Sequence, residues 1–68
     1  MSKSVYKVWC EWDVGLNDGG NEGVYSTYAI AKDALLKGLV GVGIMGDFAN
    51  LDEIFSEGLA DIEELEYK

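Results

Sequence analysis

The chain has no Arg, no His, no Gln and no Pro, and it carries a single Cys. Each absence closes off a class of function. With no guanidinium and 13 acids against five lysines, the formal charge is −8 and the pI is near 4.1. Such a chain has little to offer nucleic-acid phosphates, which require cationic contacts. Lack of His removes imidazole catalysis and His-bearing zinc sites, and one thiol cannot build a multi-Cys site. Cys10 alone cannot close an internal disulfide, so a disulfide-stapled secreted scaffold is excluded. Met1-Ser2-Lys3-Ser4 has no hydrophobic signal core, and the longest uncharged apolar run, Gly38 to Gly46, is far short of the roughly 20 residues of a spanning helix. The expectation is one cytoplasmic domain over residues 1–68, with no membrane association.

What is present is enough to fold. Apolar residues make up 49% of the chain, and Tyr6, Trp9, Trp12, Tyr25, Tyr28, Phe48, Phe55 and Tyr67 carry the largest areas. A disordered acidic tail would be much poorer in such residues. Residues 5–14, VYKVWCEWDV, alternate with period two and predict a strand. Tyr6, Val8, Cys10, Trp12 and Val14 share one face, which is the core candidate; Val5, Lys7, Trp9, Glu11 and Asp13 share the other. On that mixed face, Trp9 is either packed under a helix or exposed. Residues 15–23, GLNDGGNEG, are turn-forming throughout, and Val24-Tyr25-Ser26 reads as a short second strand completing a hairpin.

Ser26 or Thr27 can cap a helix that runs to about Leu36 and ends near Gly38 or Gly41. Tyr28, Ala31, Ala34, Leu35, Leu39 and Val42 form its core stripe. Ile30, Leu36 and Val40 lie opposite with Lys32, Asp33 and Lys37, so the helix is apolar over more than one face. The expected cover for that excess is a second helix and the preceding loop; a dimer or partner face is the alternative. Asn50 and Glu53 have capping-box spacing and open a short helix with Leu51, Ile54 and Phe55 inward and Gly58 just past its end. Leu59 to Tyr67 predicts an edge strand, with a third helix as the alternative, and Ile62 and Leu65 fall on opposite faces unless a bulge intervenes. The elements sum to an α+β domain of ββααβ order, a small antiparallel sheet packed against two short helices.

The charge is concentrated. Residues 1–46 hold five acids and four lysines, a net of −1; residues 47–68 hold eight acids and one lysine, a net of −7. Every acid has an ordinary use. Asp52 and Glu53 complement the positive end of a helix, Asp47 caps or turns, and Asp61 to Glu66 keep a strand edge from pairing with other chains. That leaves unexplained why cations are nearly absent, since Lys blunts an edge as well as Glu does. On a strand, residues two apart are spaced by about 6.7 Å, so Glu64 and Glu66 form a regular row of carboxylates. A focused anionic surface steers a domain into cationic grooves, and nucleic-acid channels are the commonest of these in a cytoplasm. The candidate partner-binding residues are therefore Glu57, Asp61, Glu63, Glu64 and Glu66, with Asp52 and Glu53 in support.

Other constellations carry less. Asp13, Asn17, Asp18, Asn21 and Glu22 are oxygen ligands of the kind calcium uses, but their spacing is not that of an EF-hand and glycine-rich turns share this composition. Gly41-Val42-Gly43-Ile44-Met45-Gly46 lacks the Gly-Lys-Ser/Thr that completes a phosphate loop. Paired carboxylates need a pocket to act as glycosidase acids and bases, and so small a domain rarely has one. Cys10 points with Tyr6 and Trp12 toward the core and has no His beside it. No enzymatic activity, cofactor or metal is expected, and a monomer is favoured over a homodimer.

In length, in its missing Arg and His, in its small βα-rich fold and in the anionic segment DEIFSEGLADIEELEYK, residues 52–68, the chain resembles the small acidic anti-CRISPR proteins of phages. The resemblance is one of type, with no motif to carry over residue by residue, and it is nearest to inhibitors of type I effectors, type I-C among them. It implies a protein that acts in the bacterial host cytoplasm during infection and binds a Cas effector subunit on a basic DNA-binding surface. Several such inhibitors occupy the surface that reads the motif beside the DNA target.

Overall fold

A computed structural model describes residues 3–67. The chain forms β1 (Lys3–Cys10), β2 (Glu22–Tyr25), α1 (Tyr28–Gly41), a 3-10 turn (Ile44–Asp47), α2 (Leu51–Ser56) and β3 (Ala60–Tyr67). The order is the expected ββααβ, and the class is α+β. The three strands make one antiparallel sheet in the order β2-β1-β3, so the first strand is central and the last is an edge. β1 and β3 pair one to one over eight positions, from Lys3 with Tyr67 to Cys10 with Ala60. No bulge interrupts this ladder, so Ile62 and Leu65 do take opposite faces: Ile62 is half-buried beside Val8, and Leu65 lies exposed across from Val5.

Period-two alternation buries one face. Val8 and Cys10 of β1 and Ala60 of β3 meet Ala31, Leu35 and Leu39 of α1 and Leu51 and Ile54 of α2 in a single core, closed by Leu16 from the loop. The strand is shorter at its C-terminal end than residues 5–14 suggested. After Cys10 the chain bends: the Glu11 N–H donates to the Leu59 carbonyl at 2.9 Å and the Cys10 thiol donates to the Trp12 carbonyl at 3.0 Å. Trp12 and Val14 still pack on the core from this irregular segment, Trp12 edge-on to Phe48 with ring centroids 6.3 Å apart. The second strand is likewise shifted, to Glu22–Tyr25, because the loop closes tightly through a Leu16–Gly20 bridge.

Both helices begin and end where local chemistry dictates. Thr27 caps α1, its Oγ1 accepting from the Ile30 N–H at 3.1 Å, and Asn50 caps α2, its Oδ1 accepting from the Glu53 N–H at 3.0 Å. α2 stops in a Schellman turn. The Gly58 N–H donates to the Phe55 carbonyl and the Leu59 N–H to the Ile54 carbonyl, with Gly58 at φ 75°, a conformation that side chains resist. That turn reverses the chain directly into β3.

The expected cover for the second face of α1 is absent. Ile30, Val40 and Leu36 are exposed, as are Tyr28 and Val42, which the stripe had placed inward. α2 packs on the sheet side rather than over α1, Tyr28 sits in the first helical turn edge-on to Tyr6 at 6.0 Å, and Val42 lies past the last helical residue. Asp33 and Lys37 form a 2.9 Å ion pair along this outer face, between Ile30 and the Leu36–Val40 stripe at 100° per residue.

Gly38 marks a close approach between helix and loop. A Cβ there would meet the Val14 Cβ, Cγ2 and carbonyl oxygen, each at 2.8 Å, and the carbonyl is backbone that cannot step aside. A Cβ on Gly41 would meet nothing within 4 Å. Gly38→Ala is therefore expected to destabilise the fold by about 1–3 kcal/mol despite its better helix propensity, whereas Gly41→Ala should stabilise it by up to about 1 kcal/mol. Urea unfolding of both variants checks this; a gain from Gly38→Ala contradicts the packing described.

Candidate functional site

The sheet has two unlike edges. β2 is closed by the chain's own loop: the Asn17 side chain donates from Nδ2 to the Val24 carbonyl and accepts at Oδ1 from the Val24 N–H, both at 2.9 Å. A side-chain amide thereby fills the ladder positions another strand would use. β3, at the opposite edge, carries Asp61, Glu63, Glu64 and Glu66, all exposed. The register splits them. Asp61 and Glu63 stand on the face away from the helices, opposite Trp9 and Lys7; Glu64 and Glu66 stand on the helix-side face, opposite Tyr6 and Ser4.

Glu64 stands at the last three-strand level of the sheet and Glu66 beyond it, and both are exposed on that inner side. β2 ends at Tyr25, opposite Tyr6, and beyond that point β1 pairs with β3 alone. The domain is elongated accordingly, at 41 × 22 × 16 Å. Of the other candidate residues, Asp52 and Glu53 lie exposed in the first turn of α2 and Glu57 is exposed at its C-cap. The carboxylates thus occupy α2 and both faces of one edge strand rather than one plane. Among the described residues, Asp52, Glu53, Glu57, Asp61 and Glu63 have no ion-pair partner, whereas Glu22 and Asp33 pair with Lys7 and Lys37.

The open face of the sheet holds a shallow depression of about 270 Å³ lined by Lys7, Trp9, Glu22, Asp61 and Glu63. Trp9, on the central strand, is half-buried and flanked in register by Glu22 on one side and Asp61 on the other. Lys7 lies two residues along, opposite Glu63, with its Nζ a loose 3.9 Å from the Glu22 carboxylate. Asp61 and Glu63 were among the candidates read from the sequence; Lys7, Trp9 and Glu22 were not. Their shared signal was the mixed face of β1, where a Trp alternates with charged residues instead of apolar ones.

Two titratable groups are displaced. Burial pushes the Cys10 thiol above its usual value near 9, with the charges of Asp13 and Glu11 adding to the effect. Desolvation and then the Glu64 carboxylate push the Tyr6 phenol above 10, and its hydroxyl donates weakly to Glu64 Oε2 at 3.4 Å. Neither group is set up as a nucleophile, since both are held protonated. In the loop, the oxygen-rich side chains are engaged with backbone: Asn17 as above, Asn21 donating to the Cys10 carbonyl at 3.3 Å, and Asp13 accepting from the Gly15 N–H at 3.4 Å. The described residues contain no group of three or more His, Cys, Asp or Glu placed to hold a metal ion, and no helix long and apolar enough to cross a membrane.

Comparison with protein-family models, curated proteins and solved structures finds no match to this chain.

Because folding raises both values, the stability these two groups contribute is complete below their ordinary values of 9.0 and 10.0 and is lost as pH climbs through the folded ones. Tyr6→Phe should therefore flatten the loss of stability above pH 10, measured by thermal unfolding across pH; an unchanged alkaline profile would remove the Tyr6–Glu64 coupling. At pH 8 a thiol reagent should label Cys10 roughly 100-fold or more slowly in the folded protein than in urea. Equal rates would show that the thiol is not buried.

Proposed function

We propose that this protein is an inhibitory binding module whose β3 edge and neighbouring α2 carboxylates occupy a basic, nucleic-acid-binding surface of a bacterial protein and exclude the nucleic acid. The observation that carries the reading is the edge strand with four exposed carboxylates on two faces, at the side of the sheet that the chain does not close for itself. Successive carboxylates on one face repeat at about 6.7 Å, equal to two base-pair rises of about 3.4 Å measured along the DNA helix axis. Rows on both faces let the strand enter a groove edge-first and meet cations on either wall. Each contact is a carboxylate with Lys or Arg, a charge-assisted hydrogen bond of the stronger kind. By its resemblance to anti-CRISPR proteins, the partner is a Cas effector subunit, type I in the leading case, met in the host cytoplasm, and the protein is a binder rather than an enzyme.

A second reading follows from the outer face of α1, where Val40 is 60% exposed and Ile30 and Val42 are each 50% exposed. That surface fits self-association or an apolar partner, with the charge serving solubility alone. The Asp33–Lys37 ion pair interrupts it, which favours the first reading.

The test is competition for target DNA on a purified type I effector complex. Wild-type protein should reduce DNA binding, and Glu63→Lys with Glu64→Lys should lose at least about tenfold in potency while circular dichroism stays native. Glu63→Gln with Glu64→Gln serves as the milder arm, since Lys at 63 would face Lys7. Unaltered potency in the folded variants removes β3 as the contact. Loss on Leu36→Asp with Val40→Asp, together with a dimer in sedimentation, would transfer the function to α1.

A further inference from the structure

The depression on the open sheet face is physically different from the carboxylate rows, because its floor is aromatic. Trp9 lies on the middle strand, half-buried, with the carboxylates of Glu22 and Asp61 on the two strands beside it and Glu63 at the next position along the rim. Side chains directly opposed on neighbouring strands stand about 4.5–5.5 Å apart, so both flanking carboxylates are within reach of a group laid on the indole. The lining residues sum to three carboxylates and one ammonium. Lys7 does not satisfy them: among the described residues its ion pair is a 3.9 Å contact with Glu22, and both side chains are about two-fifths exposed. An indole face with an anionic rim favours a cation stacked on the ring and hydrogen-bonded at its edges.

We infer that this depression accepts an arginine side chain from a basic partner protein, stacked on Trp9 and bonded to Asp61, Glu63 and Glu22. Arg fits better than Lys because a planar guanidinium stacks on an aromatic face and still presents its donors in the plane, toward carboxylates on either side. The depression, about 270 Å³ and open to solvent, has room for one side chain laid on the ring. A second copy of the chain cannot supply it, since the sequence contains no Arg. The inference rests on the proposed binding of a cationic surface and specifies how one contact within it is made.

The experiment needs no effector. A seven-residue Gly/Ser peptide carrying two arginines, and the same peptide with neutral citrulline in their place, are titrated into the isotopically labelled protein at low salt. The Trp9 indole N–H and the amides of Lys7, Glu22, Asp61 and Glu63 are followed by NMR. The arginine peptide should shift these signals and the citrulline peptide should not. Trp9→Leu should weaken binding roughly 5-fold and Trp9→Phe by less. Asp61→Asn with Glu63→Gln, both exposed and outside the core, should weaken it roughly 3–10-fold, while Asp33→Asn with Asp47→Asn, an equal loss of charge at exposed positions outside the depression, leaves it unchanged. Equal binding of the citrulline peptide, undiminished binding by Asp61→Asn with Glu63→Gln, or shifts centred on α2 would overturn the inference. The two proposals fail separately: peptide binding at Trp9 without DNA competition keeps this site and removes the nucleic-acid-groove reading, and the converse removes the Trp9 site alone.

Discussion

Everything the surface does depends on the uninterrupted β1–β3 ladder. These strands are 58 positions apart at the Tyr6–Glu64 pair, yet they match residue for residue over eight pairs. A slip of one residue would turn Ile62 outward and drive Glu63 toward the core, so the burial of Val8, Cys10, Ile62 and Ala60 holds the register. The Schellman turn at Gly58 delivers the chain into that register, and the bend after Cys10 ends it. Placement of the acidic side chains is thus a by-product of core packing. No acid has to pay for its own position.

With register fixed, the two sheet edges acquire different characters. Asn17 spends its amide on the backbone of Val24, which makes β2 a poor template for a further strand. The open edge is left to β3, where like charges oppose pairing with another copy and favour a cationic surface. The two faces differ as well. On the helix side Glu64, level with Tyr6, and Glu66 beyond it emerge into solvent at the end of the apolar face; the open side combines Trp9 with Glu22, Asp61 and Glu63. The β3 edge therefore offers cations a row of carboxylates on one face and, on the other, carboxylates beside the Trp9 ring of β1.

Much of this architecture is legible in the sequence, for identifiable reasons. Alternation in VYKVWC, the cap residues Thr27 and Asn50, and Gly58 are local signals, and local signals survive folding. The ββααβ order and the edge position of residues 59–67 follow from them. What is not legible is tertiary. The pattern of residues 5–14 continues through Trp12 and Val14, but the chain bends at Glu11 because the Leu59 carbonyl is there to receive its N–H. The apolar excess on α1 suggested a covering helix, yet α2 is only six residues long and is drawn to the sheet. Acids adjacent in sequence, Glu63 and Glu64, part to opposite faces of the strand, and Glu63 gains as neighbours Lys7 and Trp9 from the other end of the chain. Charge counts located the anionic third of the molecule; only pairing between strands shows which cations and aromatics share its surface.

In the proposed mode of binding, exposed carboxylates on β3, rather than the apolar face of α1, make the contact with a partner. The affinity of the protein for a purified type I effector complex, measured by calorimetry from about 50 to about 200 mM NaCl, tests this most directly. Affinity should fall by about tenfold or more across that range, because contacts between exposed charges are screened within a Debye length of about 10 Å. An affinity that holds constant or rises with salt would contradict it, since that is the behaviour of an apolar interface.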